Sequence, residues 1–387
     1  MNHAPPLLVI INQVAARARR AWPGIRRALN DGGVAFDAHE TTHAGDATER
    51  TRAALREGYR LIAVVGGDGT LSEAAAGFFE QPPDERGALP ERVPAPVRAE
   101  AALALLPAGT GDDFARGWTG GRAPLEAWLK ALVAHYHWLD AGDGSGEASG
   151  SERDAGPTGG DAGLIGVGAG PTGGGARAVD VIYGSPAETR KNFICLNVAT
   201  LGLGAQVAAR VASQRGLVRR LPGEARFVQA ACGALAAWRE RSVRVTLDHR
   251  TVLEGRSNMI AIANGIYAGG GMMFAPAALT GDGRLDFLMA TGVSRATILR
   301  EMPRIRRGAH LSNPHISTRT AAHVRIETGT AQDEALLIEA DGNVRGYTPA
   351  EFQVMPGALR FVGPHRPERL CPGESAAPTS KTARRRT

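Results

Sequence analysis

The sequence predicts an α/β domain followed by a β domain: a doubly wound nucleotide-type fold on a parallel sheet, then an antiparallel β-sandwich. Three observations predict it. Apolar runs alternate with amphipathic helical segments from residue 7 to 138. Two of those runs, LIAVVGGDGT and ALALLPAGTG, pass straight into glycine-rich turns. From residue 178 onward short strands with turn signals dominate.

The elements follow in order. Residues 7–11, LLVII, read as a buried strand that turns at Asn12-Gln13. A basic helix follows and stops at Gly32-Gly33. VAFDAHETT alternates as a second strand, and the next helix has Asp46 near its start. RLIAVVGGDGT is continuously apolar before its glycines, as expected of a strand covered on both faces, and a helix is expected from Leu71. ALALLPAGTGDDFARGW repeats the scheme, with two acids opening its helix.

The α/β domain is expected over 1–138 and the β-sandwich domain over 139–344, with residues of about 345–364 packing back on the first domain. Within the second domain, 142–177 is Gly/Ser-rich and reads as a disordered insertion. Helical segments are expected near 205–240 and 294–307. The tail, 365–387, is Pro-rich, then basic, and reads as disordered.

Composition narrows the function classes. Of the net charge of +6, the tail supplies +4, from six Lys/Arg against two Glu. The remaining body is nearly neutral, which argues against a nucleic-acid partner. Cys195, Cys232 and Cys371 stand far apart with no CxxC pair, so neither a zinc site nor a disulfide framework is expected, and a cytoplasmic location fits. No charged-then-apolar leader opens the chain, and no apolar run reaches membrane-spanning length.

The first glycine-rich turn is suited to an anion. Gly66, Gly67 and Gly69 allow close backbone approach, the following helix N-terminus adds partial positive charge, and Thr70 can donate a hydroxyl. Asp68 is out of place there. A carboxylate beside phosphates needs an intervening metal or proton-bearing nucleophile; otherwise it is a turn or cap residue. The second turn places Thr110 and the pair Asp112-Asp113 at the same sheet edge, where ligands bind, and one of the two acids is expected to cap the helix. Further on, LTGDGRLD sets Asp282 between main-chain carbonyls, either as a hard-cation site or as a hairpin tip.

Taken together, these pieces resemble one family. Gly66-Gly67-Asp68-Gly69-Thr70 with Glu73, the run Pro107 through Ala115, the block from Asn264-Gly265 to Asp286, and Asp341-Gly342 occur in that order. The chain resembles the diacylglycerol kinase/sphingosine kinase catalytic family, in its bacterial soluble branch, over about 7–364. The first motif alone is shared with NAD kinases and phosphofructokinases. The resemblance implies a lipid kinase that binds ATP in a cleft between the domains. It implies nucleotide contacts from Asn12, Thr41, Gly66, Gly67, Asp68, Gly69, Thr70, Glu73 and Thr110. It also implies a structural Mg²⁺ site from Asp282 with the carbonyls of Leu279 and Arg284. Asn12-Gln13 stands where the family has Asn-Pro.

One departure bears on chemistry. Where the family has Asp-Gly-Glu, with the glutamate as general base, this chain has Asp341-Gly342-Asn343. Asparagine cannot take the acceptor's proton, so the role passes to Asp341 or Asp68, or activity is weak. Asp68 is expected near the γ-phosphate, holding the catalytic Mg²⁺ or the acceptor hydroxyl. The segments 210–227 and 295–308 each carry five arginines and one glutamate among apolar residues. They read either as a peripheral contact with an anionic membrane or as amphipathic helices with solvated arginines. A homodimer is compatible with the sequence. The competing readings are an NAD kinase-like enzyme and a nucleotide- or lipid-binding pseudokinase.

Overall fold

The computed structural model describes residues 7–80, 93–143, 175–189, 191–214, 223–328 and 334–364. Most of the expected insertion at 142–177, the tail at 365–387 and residues 215–222 of the first arginine-rich segment lie outside them.

The N-terminal region runs β1 (Leu7–Ile11), α1 (Ala16–Asp31), β2 (Phe36–Glu40), α2 (Asp46–Glu57), β3 (Leu61–Gly66), α3 (Asp68–Gly77), β4 (Ala102–Pro107), α4 (Asp113–Thr119) and α5 (Leu125–Asp143). Its strands pair in parallel in the order β4-β3-β1-β2. Every residue of β1 and β3 is buried, and helices on both faces of the sheet account for their unbroken apolar runs. Gly58 ends α2 in the left-handed region, at φ 105°. The helix after β3 begins at Asp68 rather than at Leu71, so Asp68 lies in its first turn.

The C-terminal region continues with β5 (Arg177–Pro186), β6 (Phe193–Cys195), β7 (Val198–Gly202), α6 (Leu203–Ser213), α7 (Gly223–Ala237), β8 (Arg241–Leu247) and β9 (Thr251–Ala263). The short hairpin β10 (Tyr267–Ala268) and β11 (Met272–Met273) precedes β12 (Leu285–Thr291) and α8 (Arg295–Ile305). Then come β13 (Ile316–Ala321), β14 (His323–Thr328), β15 (Leu337–Ala340), β16 (Asn343–Tyr347) and β17 (Ala350–Val362). Pairing here is antiparallel. Alternation sets the layers. Ile260, Ile262, Phe287 and Met289 face an interior shared with Val324 and Phe352, whereas Ala261, Ala263 and Leu288 face the other side.

The two regions share one sheet of 15 strands, and β17 joins them. Its first residues pair antiparallel with β14 and β5, and Arg360–Val362 pair in parallel with β4. Phe361 fixes that junction. Its ring centroid lies 4.8 Å from both Phe114 and Trp118, and 6.4 Å from Trp128. Among the described residues no helix is long and apolar enough to cross a membrane.

Candidate nucleotide and phosphoryl-transfer site

Both glycine-rich turns lie at the carboxyl ends of adjacent parallel strands, β3 and β4. They touch back to back. A Cβ on Gly67 would stand 3.0 Å from the Cα of Gly109, and one on Gly109 would stand 2.6 Å from the Cα of Gly67. Only glycine permits that approach. Asn12, at the end of β1, ties the neighbouring strand in. Its main-chain N–H donates to the Val65 carbonyl (3.1 Å) and its side-chain amide to the Thr70 hydroxyl (2.8 Å). Its side-chain oxygen Oδ1 accepts the amides of Val14 (3.0 Å) and Ala15 (3.1 Å), just ahead of α1. Thr41 binds back to the Ile11 carbonyl. The Arg17 guanidinium donates to the Gly109 carbonyl (2.9 Å), a residue the motif reading did not mark. Thr110 is exposed beside these turns.

Asp68 reaches across to the second turn. The amides of Asp113 (3.0 Å) and Phe114 (2.9 Å) donate to its two carboxylate oxygens. It therefore caps α4 from a different element, satisfying amides that a helix start leaves open. This corrects the expectation that Asp112 or Asp113 caps α4. Asp112 sits at φ 51° and accepts the Gly109 amide, and Asp113 Oδ2 accepts the Gly270 amide (2.7 Å). Burial, then the charge of Asp113, pushes the Asp68 carboxyl up to about 7, against the two amides that hold it down. Asp113 is raised too, chiefly by burial. The half-buried Asp68 and the buried Asp113 carboxyls thus face one small volume, the arrangement that separates an acid from a base.

The Tyr267–Met273 hairpin closes this volume from the C-terminal side. Gly269, Gly270 and Gly271 all have positive φ, at 64°, 85° and 99°. The turn bonds Asp113 at its tip, and the Tyr267 carbonyl accepts the side-chain amide of Asn197.

Asp341 lies on the far side of Asn197. Its carboxylate accepts the amides of Leu196 (2.7 Å), Asn197 (3.1 Å) and Val198 (3.4 Å), and its backbone is left-handed at φ 48°. Those bonds anchor the β15–β16 turn to the β6–β7 corner. No hydrogen bond or ion pair among the described residues joins Asp341 to Asp68. Asn343 turns its amide onto the Asp341 carbonyl (3.3 Å). Glu339, two residues before Asp341 and buried, accepts the Thr200 hydroxyl (2.7 Å) and the Gly342 amide. Burial raises it to about 7. Glu73, on α3, is raised by burial and held down by the Gly45 amide and the charge of Arg345. Arg345 thus brings charge from β16 to Glu73 on α3.

The residues named for a cation form a separate place. Asp282 Oδ1 accepts the Arg284 amide (3.0 Å), and Leu279 is exposed. Asp286 is raised to about 6, first by burial and then by Asp282. Among the described residues no three His, Cys, Asp or Glu side chains gather as metal ligands. A cation here would rest on one or two carboxylates and main-chain carbonyls, a hard-oxygen set that suits Mg²⁺. Asp180, which the motifs did not mark, fixes the loop. Its oxygens accept the Gly283 and Gly357 amides, each at 2.7 Å. A charged residue inside the apolar strand VDVIYG was the available signal.

Comparison with known proteins agrees with this architecture. Residues 6–143 match the diacylglycerol kinase catalytic domain, and residues 198–363 match the YegS C-terminal NAD kinase beta sandwich-like domain. The chain belongs to the bacterial diacylglycerol kinase and YegS-like lipid kinase family. A Pseudomonas fluorescens protein named for the YegS-like lipid kinases is 29% identical, over 64% of this chain and 59% of its own length. The diacylglycerol kinase of Mycobacterium tuberculosis is 25% identical over 86% of this chain and 84% of its own. A solved structure of a diacylglycerol kinase from Bacillus anthracis shares the fold, with a TM-score of 0.55 at 17% identity. It covers 92% of this chain and 96% of its own.

Proposed function

We propose that this chain is an ATP- and Mg²⁺-dependent kinase that transfers the γ-phosphoryl group to a hydroxyl of a lipid, such as diacylglycerol or a sphingoid base. The observation that carries the reading is the apposition of Gly67 and Gly109, which joins two glycine-rich turns at the end of a parallel sheet with Asp68 beside them. Backbone amides there suit a phosphate chain. Asn12, Thr41, Thr70, Glu73 and Thr110 would position the nucleotide. Bound Mg²⁺ would neutralise charge on the transferring phosphoryl group. Leu279, Asp282 and Arg284 would hold a second, structural ion.

In this reading Asp68 is the proton acceptor for the lipid hydroxyl, and Asp341 sets the shape of the β15–β16 turn. A carboxyl near pH 7 suits a general base, and phosphoryl transfer depends more on positioning than on the base. The test is transfer of ³²P from ATP into lipid-extractable product. Asp68→Asn is expected to lower kcat by roughly 10²–10⁴-fold. Unchanged turnover would remove Asp68 from the chemistry.

Asn343 favours a second reading, a nucleotide-binding pseudokinase. ATP binding without transfer to any component of a mixed lipid extract would establish it. Asn343→Glu separates the two. Restored transfer shows a missing base, and no gain in an active protein shows that the base lies elsewhere.

A further inference from the structure

Strand β16 reads Asn343-Val344-Arg345-Gly346-Tyr347, and its pairing with β15 slips by one residue. Tyr347 and Gly346 oppose Leu337 and Ile338, whereas Val344 and Asn343 oppose Glu339 and Ala340. Arg345 is left without an opposing residue, so it forms a β-bulge. Gly346 makes the bulge possible. Its φ of 144° is open to glycine, and a Cβ there would stand 3.0 Å from Thr189 Oγ1. A bulge interrupts the ladder and re-aims a side chain, and here that side chain is a guanidinium.

The guanidinium is held but not paired. Its Cζ lies 5.5 Å from the centre of the Phe193 ring. That ring is itself fixed. It lies across Gly184, where any side chain would collide with it, and it meets Phe352 edge-on at 6.2 Å. Arg345 is half-buried, and its Nε is buried with no hydrogen-bond partner. Among the described residues its side chain makes no hydrogen bond and no ion pair. The carboxyls of Glu73 and Glu339 lie within its electrostatic reach, but each has other partners. Glu339 accepts the Thr200 hydroxyl and the Gly342 amide, and the Gly45 amide holds Glu73. A guanidinium carries donors only, so this one is open to an anion.

Its place in the fold says where that anion enters. Helix α3, which begins at Asp68 and carries Glu73, packs against β6, which carries Phe193. Arg345 therefore stands at the seam where the N-terminal region meets the C-terminal one. Asn343, two residues earlier, is uncharged where the family has a glutamate. The carboxylate of Asp341 is already taken by the amides of Leu196, Asn197 and Val198. The β15–β16 turn thus offers the seam a cation with no acid of its own to pair it.

We propose that Arg345 binds a phosphate group that enters the seam between α3 and β16, either the terminal phosphate of the nucleotide or a phosphate carried by the lipid acceptor. Both present oxygens that a guanidinium fork takes in pairs. This rests on the lipid-kinase reading and extends it, because the C-terminal region then supplies a charge to match the amides of the glycine-rich turns. The bulge and the Phe193 ring hold the fork in place before the ligand arrives, so little side-chain entropy is lost on binding.

The test is calorimetric titration of the full chain with nucleotides in Mg²⁺ and with short-chain lipids below their micelle-forming concentration. Arg345→Met keeps an apolar stem over Phe193 and removes the fork, and Arg345→Lys keeps the charge without the fork. In the nucleotide arm, Arg345→Met is expected to bind ATP roughly 10- to 100-fold more weakly and AMP as the wild type does. In the acceptor arm, the same loss is expected for dihexanoylphosphatidylglycerol and not for dihexanoylglycerol. Either pattern supports the proposal and names the source of the phosphate, and Arg345→Lys recovers part of the loss in that arm. Binding of ATP and of the phosphatidylglycerol by Arg345→Met equal to the wild type overturns it and leaves a structural cation over Phe193. An equal loss for AMP and dihexanoylglycerol overturns it too, since it shows a disturbed fold rather than a lost phosphate contact. Arg345-dependent binding of ATP, without phosphoryl transfer to any lipid, supports the phosphate contact and sinks the kinase reading instead. A wild type that binds neither ATP nor the phosphatidylglycerol sinks both.

Discussion

Glu339 is a buried carboxyl that the motifs did not mark. Its pKa, about 7 against an ordinary value of 4.5, means that the folded state favours its protonated form. Stability from this source is full below pH 4.5 and is lost as the pH rises through 7. Glu339→Gln keeps the shape and removes the charge: its Oε1 can still accept the Gly342 amide, while its Nε2 donates to the Thr200 hydroxyl oxygen. It should therefore raise stability at pH 8, by no more than about 3 kcal/mol, and leave it unchanged at pH 4. Urea midpoints at the two pH values check this. Asp113 gives a kinetic counterpart. Its charge is the second cause of the raised Asp68 carboxyl. Asp113→Asn keeps an acceptor for the Gly270 amide and removes that charge, so the Asp68 carboxyl falls. If Asp68 is the base, activity is lost as the pH drops through its pKa. The acid limb of the pH–rate profile should then move from near 7 to lower pH. A limb that stays in place would assign it to another group.

At the scale of elements, the two glycine-rich turns act as one object. Gly109→Ala would drive a methyl into the Gly67 backbone at 2.6 Å and into Asp112 Oδ1 at 2.5 Å. The turns must part, at a cost of typically 1–3 kcal/mol. The expected outcome is a raised KM for ATP with a smaller change in the KM for lipid, read from initial rates. Much at this scale was legible in the sequence. The runs LLVII and LIAVVG read as covered strands because both faces are buried, and GGDGT and PAGTG marked the sheet edge by their glycines. The capping of α4 was not legible, because the carboxylate that performs it lies 45 residues away on another helix. Local propensity nominates a nearby acid, and Asp112 and Asp113 each have other partners. Asn197 and Arg345 were missed for the same reason. An isolated polar residue in a strand-rich segment has no spacing to mark it, and its role comes from pairings across 70 residues or more.

At the scale of the whole molecule, the family and fold class were legible from the order of the motifs, but the continuity of the sheet was not. The pairing of β17 with β4 joins segments about 250 residues apart, and no local pattern encodes it. That pairing makes the two regions energetically dependent. Phe361→Ala removes a ring that contacts Phe114, Trp118 and Trp128, at a cost of typically 3–5 kcal/mol. Hydrogen-exchange protection should fall together in β3 and β9, and heat should still unfold the chain in one transition. Loss confined to β3 would show two independent units.

Strand β17 also sets how the molecule bears load. Its early residues bond sideways to β5 and β14 and its last residues to β4, so both regions hang on one continuous backbone. Opening between them cannot proceed as two plates swinging on a loose string. It must twist a hydrogen-bonded ribbon, as a torsion bar twists, and the restoring torque returns the faces to the same alignment after each excursion.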